Sequence, residues 1–213
     1  MTFFRSCLFS SVLLFTGLAC TDSPDRQPGA QPPSPADSSV TLTDNYVNPY
    51  ASIDISPMDM SYYPVDYTKL KMAKAIGTPP LARVIYSRPH LQRRRLFSQI
   101  LRYGEIWRLG ANEATELELF SDAMIQDKKI RKGRYTLYCI PDSLDWTIIM
   151  NTNLDTWGLQ PDPSKDLARF VIPVRQTETR LEYFTMKFEK TSKGADLIMA
   201  WDDTEARLPF RFE

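Results

Sequence analysis

From about residue 80 onward the apolar residues of this chain recur at every second position, and a period of two restricts it to strands. Successive Cβ atoms on a strand point to opposite faces of a sheet, so alternation marks one buried and one solvated side. Leu81–Arg88 reads as a strand stopped by Pro89, and Leu96–Leu101 is a short apolar run. Thr115–Ile125 alternates Leu117 and Leu119 with Glu116 and Glu118. Turns are expected at Asp127–Lys129 and Lys132–Gly133. Beyond them Tyr135, Leu137 and Cys139 share one face, with Thr136, Tyr138 and Ile140 on the other. Pro141–Leu144 then turns the chain into Trp146–Met150, which is a hairpin signal. Ala168–Val174, Glu182–Phe188, Asp196–Trp201 and Leu208–Phe212 supply the remaining strands. About eight or nine short strands with turns between them predict an all-β fold, an antiparallel β-sandwich or jelly-roll.

The N-terminal third is organised differently. Val65–Ile76 carries apolar residues near helical spacing, so a short helical or irregular segment is expected there. Tyr46–Tyr67 shows no clean period, although Met58–Met60 and Tyr62–Pro64 are apolar enough to lie along the sandwich. Residues 1–19 combine Arg5 with the apolar stretch Leu8–Leu18. That stretch is shorter than the ~20 residues of a membrane-spanning helix and has the layout of a secretory signal peptide. It ends in Gly17-Leu18-Ala19-Cys20, and a small residue before a Cys resembles a bacterial lipobox, in which the Cys becomes the lipidated N-terminus. The usual Leu three places before the Cys is replaced by Gly17, and the same residues satisfy the small-x-small rule for plain secretion. Residues 20–40 hold Pro24, Pro28, Pro32, Pro33 and Pro35 among polar residues, a composition that spaces rather than folds. The expected organisation is a signal peptide (1–19), a lipidated Cys20 with a disordered tether (20–40), an extension packed on the domain (41–80), and the β-sandwich (81–213).

Composition excludes several function classes. Lys plus Arg and Asp plus Glu both number 26, so no basic excess exists to bind nucleic acid through a broad surface. Arg93-Arg94-Arg95 is the dense basic cluster, and a solvated or locally paired loop accounts for it. Cys7 leaves with the signal and Cys20 is expected to be acylated, so Cys139 stands alone in an alternating run, as a buried thiol does. One histidine, His90, and one free cysteine do not make a zinc site of the usual kind, and no G-x-S-x-G surrounds any serine. No metal and no cofactor are expected.

Tyr103–Thr115 carries what polar chemistry the sequence suggests. It sets Trp107, Arg108, Asn112 and Glu113 around Gly104 and Gly110, just ahead of a strand. In a structural reading, Arg108 and Glu113 fold back on each other, Asn112 satisfies backbone groups, and Trp107 plugs the sandwich. In a binding reading, Arg108, Asn112 and Glu113 face a cleft joined by Arg88 and Arg94. The arginines would hold an anion and a tryptophan would offer a stacking surface. Trp157, in the Asn-, Asp- and Pro-rich loop after Asn151, extends that surface, whereas Trp146 and Trp201 fall on strands and read as core. Acid–base chemistry at Glu113 would need a second carboxylate about 5–9.5 Å away. Glu105, Asp122, Asp155, Asp202 and Asp203 all qualify, so the sequence selects none, and no catalytic residue is assigned.

Several motifs in one order resemble domain-of-unknown-function family 2911. They are Tyr86-Ser87-Arg88-Pro89, Arg94 with Leu96-Phe97, Tyr103-Gly104 with Ile106-Trp107-Arg108, and Gly110 through Thr115. Gly133-x-Tyr135-Thr136-Leu137, Ile140-Pro141, Trp146 through Ile149 with Asn151, and Trp157-Gly158 continue the series. The chain departs at Arg93 and Ser98, where the family pattern usually has Gly, and at Arg102, where it usually has Pro. The resemblance implies an envelope lipoprotein or secreted bacterial protein and no established activity. The expectation is therefore an exported, lipid-anchored protein of the cell envelope, in the outer membrane, with soluble periplasmic or secreted protein as the alternative. Its expected role is to bind a polar or anionic small molecule or glycan. A glycan or peptidoglycan hydrolase working through Glu113 and a purely structural envelope protein are the alternatives.

Overall fold

The computed structural model describes residues 54–212, so the expected signal peptide, Cys20 and tether lie outside the described residues. Nine antiparallel strands form the fold: β1 (Met58–Tyr63), β2 (Ala82–Ser87), β3 (Thr115–Leu119), β4 (Ala123–Ile125), β5 (Lys128–Ile130), β6 (Gly133–Pro141), β7 (Asp145–Asn151), β8 (Asp166–Thr191) and β9 (Gly194–Phe212). Their order is β1-β2-β3-β6-β7-β8-β9-β4-β5. Apart from the β4–β5 hairpin carried to the far edge, neighbours in sequence are neighbours in the sheet. That meander matches a sandwich and lacks the two Greek keys of a jelly-roll.

The long strand β8 makes two layers out of one ladder. Its first part pairs with β7 through Pro173, and its second, from Val174, pairs with β9. Register shifts at Gln176/Leu181 and Leu181/Thr185 separate the inward-facing set Ala168-Phe170-Ile172 from the set that begins at Phe184 and continues through Met186 and Phe188. Extra residues on one strand bend it and raise its twist, so β8 turns from one layer into the other without stopping. A second seam joins β1 and the segment after β2 to β8. Phe188 N–H donates to Ser61 Oγ at 3.0 Å, Phe184 N–H to the Pro89 carbonyl at 2.9 Å, and Leu91 N–H to the Glu182 carbonyl at 3.0 Å.

The enclosed core is the alternating set of the sequence. Val84 and Tyr86 from β2, Leu117 and Leu119 from β3, Trp146 and Ile148 from β7, Phe184 and Phe188 from β8, and Trp201 and Phe210 from β9 are all buried in one cluster. Burying one such side chain contributes roughly 1.5–3 kcal/mol, which makes this cluster the main favourable term in folding. The outward face of β6–β7 has its own small cluster of Ala114, Tyr138 and Ile149, with Ile140 packed against it. That second cluster explains why both faces of this hairpin are apolar in sequence. Cys139 is fully buried, and burial pushes its thiol pKa well up, so it is an inert core residue.

Several boundaries differ from expectation for local reasons. Val65–Ile76 yields only the six-residue helix α1 (Tyr67–Met72). Met58–Tyr63, within the stretch that shows no clean period, is strand β1 and pairs with β2 from Met58↔Ser87 to Tyr63↔Ala82. Leu96–Leu101 is a turn, closed by Leu101 N–H to the Leu96 carbonyl at 2.8 Å. Thr115–Ile125 divides into β3 and β4, and the expected turn at Asp127–Lys129 is tighter, with Lys128 already in β5.

Candidate functional site

Three loops meet at one end of the core: the segment after β2, the loop from Tyr103 to Thr115, and the loop after β7. Between them is an open cavity of about 370 Å³. Trp107 and Trp201 form its floor, with Ile100, Ile106 and Leu159 on the sides and Arg94 and Arg108 at the rim. The two indoles stack at 5.8 Å, and Phe184 packs edge-on beneath Trp107 at 4.8 Å. Trp107 donates its N–H to the Gly110 carbonyl and Trp201 donates its N–H to the Glu182 carbonyl. With both donors engaged by the protein, the indoles offer the cavity no polar group, and what reaches it is an edge of Trp107, 9 % exposed, over the buried Trp201.

The central loop is ordered by its own backbone. Trp107 exchanges both main-chain hydrogen bonds with Cys139 at 2.7 Å, which pins the loop to β6. Thr115 N–H returns to the Arg108 carbonyl at 3.2 Å and Ala114 N–H reaches the Thr156 carbonyl at 3.1 Å. Leu109 and Asn112 adopt left-handed backbone, φ +53° and +55°, so the reversal is sharp. Gly158 makes the approach of the third loop possible. At φ +79° a Cβ there would stand 2.6 Å from the Ala114 Cβ and 3.2 Å from the Arg108 Cβ.

The seven residues singled out from sequence divide into two groups. Arg94, Trp107 and Arg108 line the cavity. Arg108 donates to the Trp157 carbonyl at 3.2 Å and lies over the Trp157 ring at 5.6 Å, so Trp157 backs the arginine from outside while its neighbours Gly158 and Leu159 line the wall. Arg88 faces elsewhere. It joins β1 to β8 through Asp59 at 3.4 Å, the Phe184 carbonyl at 3.3 Å and the Tyr183 ring at 5.6 Å. Asn112 donates to Asp54 at 2.9 Å and to the Ser56 carbonyl at 3.4 Å, which clamps residues 54–56 against the loop and sets Ser56 at the cavity edge. Glu113 is exposed and does not line the cavity. The expected Arg108–Glu113 ion pair is absent among the described residues. Two left-handed residues turn the loop so that the pair interacts only through space.

Charge in the cavity is one-sided. Burial pushes the Arg108 guanidinium below its usual pKa, while the Glu113 charge pulls it back up, and an arginine in that setting stays protonated. Arg94 donates from Nε to the Leu91 carbonyl at 2.9 Å and from Nη2 to the His90 carbonyl at 3.0 Å. Both arginines are thus held by neutral acceptors and keep their full charge. Among the described residues no aspartate or glutamate lines the cavity. Among the described residues no group of three or more His, Cys, Asp or Glu is placed to hold a metal ion.

The turn that presents Arg94 is strained. Gln92 and Arg93 sit at φ +51° and +63°, where each non-glycine residue costs roughly 1–2 kcal/mol. Arg93 and Ser98 (φ +87°) are the two positions at which the sequence replaces the glycine of the pattern it resembles. A left-handed backbone at both explains why glycine suits them.

Residues 71–210 match the family described as Protein of unknown function (DUF2911). The chain belongs to that family. The match takes in β2 through most of β9, and with them all three loops of the cavity. Comparison with the curated proteins and with the solved structures returned no match.

The floor of the cavity was only half visible in sequence. Trp201 reads as strand core, and it is 1 % exposed; its role at the cavity follows from the stacking of Trp107 against it. Leu159 and Ile106 flank Trp157-Gly158 and Trp107, and both are large apolar residues left exposed at the rim. Exposed apolar side chains beside a tryptophan in a polar loop are the signal that would have pointed to them.

Proposed function

We propose that this protein is a binding module of the bacterial cell envelope, anchored by lipid on Cys20, that takes a ring-bearing anionic small molecule or glycan unit in the Trp107–Trp201 cavity. The observation that carries this proposal is an aromatic floor beside two arginines that have no carboxylate partner among the described residues. A sugar or planar ring gains by apolar contact with the Trp107 edge, Ile106 and Leu159, and a carboxylate or phosphate gains by accepting from a guanidinium fork. The volume, about 370 Å³, lies in the range of small-ligand pockets. A hydrolase working through Glu113 has less support, because that carboxylate stands outside the cavity and no other among the described residues lines it.

Phenyl β-D-glucuronide, which joins a ring to a carboxylate, is a suitable probe. Titration should quench tryptophan fluorescence and raise Tm. Arg108→Gln should weaken binding by about tenfold with Tm of the free protein little changed. A panel of acidic and neutral sugars that leaves both signals flat would overturn the binding role and favour a structural one. The anchor has its own test. Cys20→Ser should move the protein from the membrane fraction to the soluble fraction and remove the acyl mass, and an unchanged distribution would count against lipidation.

A further inference from the structure

A second depression, about 440 Å³, adjoins the cavity and shares Arg94 with it. Arg93, Arg94, Arg95 and Arg180 line it, with Glu182. Among the described residues one carboxylate, Glu182, lines it against four guanidiniums. Glu182 accepts from the Gln92 N–H at 2.8 Å and lies 3.9 Å from His90 Nδ1, and Asp202 accepts from Arg180 Nε at 2.6 Å. Arg93, Arg94 and Arg95 have no carboxylate partner among the described residues, and Arg180 keeps its terminal nitrogens outside its bond to Asp202. The turn that carries the first three is built for this display. Leu91 N–H and Gln92 N–H both bond to Glu182, Arg94 is bolted to the carbonyls of His90 and Leu91, and Arg93 is held at φ +63°. A strained backbone that persists at a cluster of like charges points to use of that cluster.

Resting on the ring-binding role of the cavity, we propose that this arginine shelf is a phosphate subsite, and that the ligand is a soluble sugar phosphate. Its ring lies in the cavity against Trp107 and the apolar sides Ile106 and Leu159, its phosphomonoester lies on the shelf, and Arg94 touches both parts. A carboxylate satisfies one guanidinium fork. A phosphomonoester carries close to two negative charges and three acceptor oxygens, so it suits several convergent guanidiniums. The one residue common to both depressions gives the ligand its two-part character.

The test uses the purified full-length protein with glucose 1-phosphate, inorganic pyrophosphate and phenyl β-D-glucuronide, read by calorimetry. The variant is Arg93→Gly with Arg95→Gln, which leaves Arg94 in place. Glycine relieves the left-handed position, so Tm should hold or rise. Glucose 1-phosphate affinity should fall by about tenfold or more, pyrophosphate binding should fall with it, and glucuronide affinity should stay within about twofold. An unchanged affinity for glucose 1-phosphate would overturn the proposal, as would an equal loss for the glucuronide, since the shelf would then be no separate subsite. If the glucuronide fails to bind the unmodified protein, the ring-binding role fails. Variant-sensitive binding of pyrophosphate would then still support the shelf, and its absence would sink it. Vesicles exposing phosphatidic acid distinguish the source of the phosphate: variant-sensitive binding to vesicles with none to glucose 1-phosphate would refute a soluble ligand.

Discussion

Arginines on the strands and arginines in the loops around the cavity live under different rules. On the strands Arg83 faces Glu118, Arg134 bonds Glu116 and Asp155, Arg175 faces Glu205, and Arg207 bonds Glu205 and Glu189. Arg83↔Glu118 and Arg175↔Glu205 are directly opposed in the ladder. Register alone brings such charges together, and opposite charges across a ladder are mildly stabilising. Around the cavity Arg94 and Arg108 donate to main-chain carbonyls instead. A carbonyl fixes a guanidinium without cancelling its charge. A chain that is neutral overall thereby keeps a positive corner at this cavity, and charge placement, not total charge, makes it a candidate site.

The largest test of this contrast strikes the core that both regions share. Phe184 packs on Trp107, Trp201 and Tyr86 at centroid distances of 4.8, 5.9 and 5.7 Å. Phe184→Ala should lower unfolding free energy by about 3–5 kcal/mol in denaturant titration and abolish ligand binding together with it. A loss below about 1 kcal/mol would mean that the floor of the cavity is independent of the sandwich.

Next comes a pH effect confined to the strand region. Burial, the largest cause, and the Asp59 charge push the Tyr86 phenol up to about 12 from an ordinary value of 10.0. A raised folded-state pKa favours the neutral phenol in the fold. Its contribution is complete below pH ~10 and is lost as pH climbs from there through about 12. The loss should reach about 3 kcal/mol. Tyr86→Phe should be flatter than the unmodified protein across that window, and parallel curves would refute the assignment.

Gly158→Ala is expected to cost about 1–3 kcal/mol, from strain and from the contact with Ala114. Because the clash also pushes on the Arg108 Cβ, glucuronide affinity should fall more than the stability loss alone implies. The smallest effect separates the two kinds of arginine. Arg175→Gln removes an exposed pair and should change stability by less than about 1 kcal/mol, with binding untouched. Arg108→Gln should likewise change stability little, yet weaken glucuronide binding. Equal binding losses from the two would end the distinction between paired and unpaired guanidiniums.

The strands were legible where burial imposes alternation. Leu117 and Leu119 against Glu116 and Glu118, or Phe184, Met186 and Phe188 in a row of every second residue, can be assigned without a structure. The gaps between such runs were not legible. Arg175–Arg180 has no buried residue, so its alternation lapses and β8 reads as two strands, although the backbone continues. In the same way β9 runs unbroken from Gly194 to Phe212 where the pattern offers two pieces. Backbone hydrogen bonds are made whether or not a side chain reports on them.

The loop from Tyr103 to Thr115 shows the other limit. Its residue types announced polar chemistry, and three of the seven named candidates, Arg94, Trp107 and Arg108, do line one cavity. Nothing in the spacing of Arg108 and Glu113 revealed that left-handed Leu109 and Asn112 would turn them apart. Nor could spacing show that Trp201, distant in sequence, would lie against Trp107.

By itself the sequence determined an antiparallel β fold, a buried inert Cys139 and membership of the family that spans residues 71–210, because periodicity, burial and motif order are properties of the linear chain. Only the tertiary structure decided which arginines meet a carboxylate and which meet a carbonyl. That choice rests on cross-strand register and on loop dihedrals, which bring together residues that no linear pattern connects.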